Sequence, residues 1–147
     1  MKVVRKVWGE ERWIVNNRLY CGKQMILRSG WRCSMHMHRV KDETFFVTRG
    51  RMLFEIEGPR GRMRRRVLGP GSVQRVPPGA WHRFSGLART EFFEFSTTHD
   101  DADSIRREPS GRMPGATSGS GRGSSRSAAR RAGRRRPRGS SRGPAPG

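Results

Sequence analysis

Apolar and polar positions alternate in short runs along the first hundred residues, with the period of two that a half-buried strand requires. Residues 51–57 read Arg-Met-Leu-Phe-Glu-Ile-Glu, which puts Met52, Phe54 and Ile56 on one face. Residues 12–15 alternate weakly. Residues 24–28, 34–38, 44–48, 64–68, 73–76 and 91–96 are further short strands by the same criterion. Punctuation falls between them. Gly50 marks a turn, Gly58-Pro59-Arg60-Gly61 has hairpin composition, and Gly69-Pro70-Gly71 separates two runs. Pro77-Pro78-Gly79 cannot lie in a central strand and must turn. No window carries the period of a strong helix, and no internal repeat is present. The pattern predicts an all-β fold, a barrel or sandwich of many short strands.

Composition divides the chain. Residues 1–103 hold 20 Lys plus Arg against 11 Asp plus Glu, a net of +9, and residues 104–147 hold 12 against one, a net of +11. From Glu108 onward there is no aromatic residue and no Val, Leu or Ile, while Arg, Gly, Ser, Pro and Ala dominate. Such a segment cannot bury enough apolar surface to offset its ordering entropy. The expected organisation is one domain over residues 1–107 and a disordered basic tail over 108–147. A domain of this size has a modest core, which barrel closure or a homodimer would help. The tail's runs at Arg130-Arg131 and Arg134-Arg135-Arg136 would attract RNA, DNA or an anionic membrane without sequence preference, since no aromatic is present to stack on bases. The alternative is an unselected extension, as GC-rich codons read in any frame yield these residues. The charged N-terminus lacks the apolar run of a signal peptide, and no window has transmembrane length. Cys21 and Cys33 show no metal or redox spacing and are expected as reduced thiols, so the chain reads as cytoplasmic.

Candidate chemistry is concentrated in two stretches. In a strand over residues 34–38, His36 and His38 point the same way with Cβ atoms about 6–7 Å apart, close enough to share one ion. Residues 39–42 fit a tight turn, which would return Glu43 on the antiparallel neighbour beside the two imidazoles. His82 would come from elsewhere in the barrel. Read as ordinary surface or core residues, these positions leave one fact unexplained: three of the four histidines of the chain fall among them.

The two stretches resemble the signature motifs of the cupin superfamily. The first motif reads Gly30, five residues, His36-x-His38, four residues, Glu43, six residues, Gly50. The second reads Gly71, five residues, Pro77-x-Gly79, two residues, His82. Nine of ten fixed positions agree; the exception is Gly86, where the family usually has Asn. The resemblance implies a single-domain jelly-roll barrel holding one divalent metal through His36, His38, Glu43 and His82. A narrower resemblance, to type II phosphomannose isomerase-like cupins, rests on Lys6-Val-Trp8-Gly9, on Pro77-Pro-Gly-Ala-Trp-His82-Arg83 and on the closing segment Glu94 to Arg106 with Asp103. It implies carbohydrate or nucleotide-sugar metabolism.

A metal holding two adjacent sugar oxygens would acidify a C–H beside a carbonyl and stabilise the enediolate. Glu94 is the candidate base, with His99 as the alternative. Lys41 and Arg83 are candidates to meet a substrate phosphate at the mouth. Two other readings share the ligand set: an iron-dependent oxygenase, and a non-catalytic sugar-binding protein. Three imidazoles with one carboxylate suit Mn, Fe, Co, Ni or Zn alike.

Overall fold

The computed structural model describes residues 1–116, so most of the expected tail, including its Arg runs, lies outside the described residues. The described chain forms thirteen strands and two short 3₁₀ turns, Pro59–Gly61 and Asp101–Asp103. None of its helices is long and apolar enough to cross a membrane. The strands make two facing sheets, and every pairing is antiparallel. The first sheet has the order β1 (Lys2–Lys6), β2 (Gly9–Asn16), β3 (Cys21–Leu27), β11 (Thr90–Ser96), β6 (Glu43–Arg49) and β9 (Val73–Val76). In the second, β12 (Ser104–Glu108), β5 (Met35–His38) and β10 (His82–Gly86) are adjacent. Strand β7 (Met52–Glu57) also pairs with β10 and carries β8 (Met63–Leu68). Two short strands, β4 (Trp31–Arg32) and β13 (Gly111–Arg112), extend the sheet beyond β10. The result is a jelly roll.

Alternation decides which residues lie between the sheets. Phe45, Val47 and Phe92 are buried on the first sheet and face Met52, Phe54 and Phe84 of the second. Their neighbours Phe46 and Phe95 turn outward and are exposed. Edge-to-face contacts tie the layers together, with Phe84 5.1 Å from Phe92 and 5.1 Å from Trp8.

Strand β10 has no counterpart among the alternating runs. All five of its residues are buried, but only Phe84 carries a large apolar side chain, so the stretch offers no repeat of apolar positions by which a strand is recognised, and it follows a Pro-Pro-Gly turn. It is nevertheless the centre of the second sheet, and it ends at Gly86. A Cβ there would stand 2.4 Å from the Arg28 carbonyl oxygen, while the Gly86 carbonyl accepts the Gly30 N–H at 2.8 Å. Close backbone approach therefore requires glycine where the motif usually has Asn.

Strand pairing does not stop at Arg107. The chain stays in the sheet past Arg107, through β12 to Glu108 and on to β13. Met113 donates its N–H to Gly30 O, and the Arg28 and Arg112 guanidiniums lie 4.4 and 5.0 Å from the Trp31 ring. Glu108 accepts a hydrogen bond from Arg83. The segment contains almost no apolar side chains because backbone hydrogen bonds and cation–π contacts hold it. A chain ending after Arg107 should therefore melt several degrees below one ending after Ala116, since about 1 kcal/mol corresponds to roughly 4–8 °C for a domain of this size. Equal melting temperatures for the two truncations would show that the segment adds nothing to the barrel.

Candidate metal centre

Period-two geometry aims His36 and His38 between the sheets. His82 comes from the adjacent strand, where it pairs directly with His36. Glu43 does not return on an antiparallel neighbour of β5. It opens β6, in the facing sheet, so residues 39–42 form a crossing between sheets and not a hairpin turn. Asp103 makes the crossing possible. Its Oδ1 accepts the Arg39 and Val40 N–H groups at 2.9 and 3.1 Å, and its Oδ2 accepts that of Lys41 at 3.0 Å. One carboxylate thus satisfies the donors that a hairpin ladder would have taken.

One ligand atom from each of His36, His38, Glu43 and His82 lies within 4.8 Å of the others, a set that can hold a metal ion. The outer nitrogens are committed. His36 Nδ1 is 2.8 Å from the Ser34 carbonyl oxygen and His82 Nδ1 is 3.0 Å from that of Ala80. A carbonyl only accepts, so these nitrogens carry the hydrogens and each Nε2 presents a lone pair. His38 Nδ1 faces Ser104 Oγ at 3.3 Å. Glu43 is divided similarly: Oε2 accepts from Lys41 Nζ at 2.8 Å, while Oε1 is 2.8 Å from His82 Nε2 and 3.6 Å from His38 Nε2. Glu43 Oε1 and His82 Nε2 are both buried without a hydrogen-bond partner among the described residues. Two acceptor atoms facing each other this closely are what a cation between them would satisfy. The residues therefore fit a metal.

Burial also prepares the rings. It pushes the His36 pKa down to about 3 and that of His38 to about 4, so both imidazoles are neutral and ready to ligate at neutral pH.

Three of the four residues, His36, His38 and Glu43, line a cavity of about 340 Å³, and His82 lies fully buried beside them. Lys41 is buried, not a solvated rim charge. Burial would lower its pKa, but Glu94 and Glu43 outweigh it and hold the ammonium charged. Glu94 lines the same cavity and is also buried. Its Oε1 accepts from Lys41 Nζ and from Ser96 Oγ, with Lys23 Nζ 3.7 Å away. His99 lines the cavity too, half-buried and not on an open loop; its Nδ1 is 3.0 Å from Lys23 Nζ and its Nε2 is 3.0 Å from Asp101. Burial and the Lys23 charge both lower its pKa.

Arg83 is not brought to this cavity. It follows His82 in the strand and so faces the other side, where Glu55 and Glu108 bind its guanidinium at 2.7 and 2.5 Å. Lys23, Asp103 and Ser104 are the contributors that motif spacing does not reveal. Lys23 leaves a trace in the sequence as a lysine in phase with the inward Met25 and Leu27, and Asp103 falls in the closing segment that carries the narrower resemblance.

Residues 23–93, a span containing all four candidate ligands, match a family model described as a cupin domain. No curated protein matches the chain in sequence. Among solved structures, the fold is similar to a variant of oxalate decarboxylase from Bacillus subtilis, with a TM-score of 0.65 and 18% identity over 71% of this chain and 30% of that one. It is similar to the capsular polysaccharide assembling protein CapF from Staphylococcus aureus, with a TM-score of 0.64 and 16% identity over 73% of this chain and 34% of that one. It is also similar to KdgF from Halomonas sp., with a TM-score of 0.61 and 16% identity over 69% of this chain and 92% of that one. The chain therefore spans about a third of the first two proteins, and at these identities the likeness is one of fold.

Two outcomes follow from this geometry. Lys41→Met frees Glu43 Oε2, and should weaken divalent-metal affinity by about 10–100-fold in a competitive chelator titration, the usual size for loss of a residue that orients a ligand. A His36→Ala, His82→Ala double variant should retain no metal by elemental analysis. The second outcome concerns acid. In chelator-treated protein, the unfolded chain protonates His36 and His38 near the ordinary value of 6.5, whereas the folded chain does so only near 3 and 4. Between these limits the unfolded state binds more protons, so stability falls as pH drops. Urea midpoints should be level above about pH 7 and decline steadily from about pH 6.5 to pH 4; a flat profile there would contradict the burial of the neutral rings.

Proposed function

This chain belongs to the cupin superfamily, and from that premise we propose that it binds a divalent metal and acts on a sugar or sugar phosphate with isomerase-like chemistry. The observation that carries the proposal is the pair of orphaned acceptors, Glu43 Oε1 and His82 Nε2, within a four-donor group beside a polar cavity. Three imidazole nitrogens and a carboxylate favour Mn, Fe, Co, Ni or Zn over the oxygen-seeking Mg and Ca. The sugar reading draws support from the likeness to CapF, which is named for capsular polysaccharide assembly.

A bound divalent ion would draw charge from neighbouring substrate oxygens and so acidify the adjoining C–H. Glu94 is the residue assigned to move that proton. Its Oε1 is pinned by Lys41 and Ser96, whereas its Oε2 makes no hydrogen bond among the described residues. Oε2 is thus the atom available to a substrate in the cavity. His99, oriented by Asp101 at the same cavity, is the second candidate. The phosphate contacts considered for Lys41 and Arg83 are not carried forward, because carboxylates already occupy both cations. The expected homodimer remains part of the proposal, supported by the apolar outer face of the first sheet, where Phe46, Val73 and Phe95 are exposed.

Proton transfer at carbon is tested directly. The metal-replete chain, purified without a His tag, is incubated with aldose and ketose phosphates in D2O. Deuterium should enter the carbon next to the carbonyl, and Glu94→Gln should slow its entry by about 10²-fold or more. Oxygen uptake by iron-loaded protein, with no deuterium in any sugar, would transfer the assignment to an oxygenase. Silence in both assays across the panel would leave a sugar-binding protein without turnover.

A further inference from the structure

The cations lining the cavity are matched by carboxylates among the described residues, with two exceptions: Arg5, on the edge strand β1, and Arg106, on β12 beside the histidine strand. Lys6 Nζ is 3.5 Å from Glu11, Lys23 lies 3.7 Å from both Glu11 and Glu94, and Lys41 binds Glu43 and Glu94. Arg106 lines the same cavity, is exposed, and has no carboxylate within ion-pair distance among the described residues.

Its direction follows from strand register. On β12, Ser104 pairs with His38 and Arg106 pairs with His36. Ser104 Oγ reaches His38 Nδ1, so this side of β12 faces the histidines. Arg106, two residues on, faces the same way. Arg107 takes the opposite side, with its guanidinium 4.6 Å from the Trp81 ring. Of two consecutive arginines, one is committed to packing and the other is left at the cavity without a partner.

A guanidinium presents five donors in a planar fork that matches a carboxylate or phosphate bidentately. Cross-strand partners have Cα atoms about 4.5–5.5 Å apart. An anion on Arg106 would therefore lie within the length of one small molecule from the four-donor group. Burial is incomplete, so the site is open to a ligand arriving from solvent.

We propose that Arg106 is the anion-recognition residue of this cavity, and that the ligand is an anionic sugar derivative bearing a carboxylate or a phosphate. The proposal rests on the reading of the cavity as a sugar site and adds its charge class. The anionic end is held by Arg106 while neighbouring hydroxyl or carbonyl oxygens face His36, His38, Glu43 and His82.

The test is calorimetric titration of the full-length, metal-replete chain in phosphate-free buffer, with D-mannose, D-mannose 6-phosphate and D-galacturonate as probes. At least one anionic probe should bind about tenfold or more tightly than D-mannose, a difference of about 1.4 kcal/mol. Arg106→Gln should abolish that advantage while metal content and melting temperature stay unchanged. Which anion gains identifies the source, phosphate ester or sugar acid. Equal affinity for all three probes in the native chain would overturn the proposal, and so would an anion preference that survives Arg106→Gln. Arg106-dependent anion binding without deuterium exchange would uphold this site and remove the isomerase reading. Exchange without any anion preference would do the reverse.

Discussion

The carboxylate of Glu43 is a charge placed where water does not reach, and much of the surrounding structure answers that placement. An ionised carboxylate at 2% exposure is tolerated only with compensating charge and hydrogen bonds. One oxygen is compensated by Lys41, which is itself buried and draws on Glu94. Glu94 lies near Lys23, and Lys23 near Glu11. The signs alternate from the candidate metal centre toward the cavity mouth, so no member of the series is buried alone. The other oxygen of Glu43 is left facing imidazole nitrogens, with no donor among the described residues.

That division of labour depends on both sheets. The histidines belong to the second sheet, on strands that pair with each other, whereas Glu43, Lys23 and Glu94 come from the first. The group exists only when the jelly roll is closed, and the crossing at residues 39–42 sets its geometry. Asp103 holds that crossing from the start of the C-terminal segment. The same segment supplies Ser104 behind His38 and Arg106 at the cavity, and continues through β12 and β13 beside the Trp31 ring. What composition alone would treat as the approach to a tail is a wall of the site.

The motif residues were legible because spacing is a local property. His36-x-His38 shares a face under any strand geometry, and the fixed glycines mark turns wherever the sheets lie. Strand β10 was not legible: with Phe84 as its one large apolar side chain it offers no repeat of apolar positions, and its polar residues are buried only through contacts with segments far away in the chain. Gly86 looked like a lapse from the motif, yet the contact that demands it, with the Arg28 carbonyl, is between backbones far apart in sequence. Arg83 and Lys41 looked equivalent as cations beside ligands. Their fates diverge because one faces out of its sheet toward Glu55 and the other lies buried between Glu43 and Glu94.

The sequence by itself determined the all-β class, most of the strands and the four residues gathered at the site, since each is encoded in the period of two, in turn chemistry or in motif spacing. Tertiary structure alone decided that His82 stands beside His36, that Glu43 meets them from the opposite sheet, and that Lys41 pairs with Glu43 and Glu94. The physical reason is range. Periodicity reports which side of its own strand a residue occupies. Which strands become neighbours, and which charges must then compensate one another away from water, is settled by packing between segments far apart in the chain.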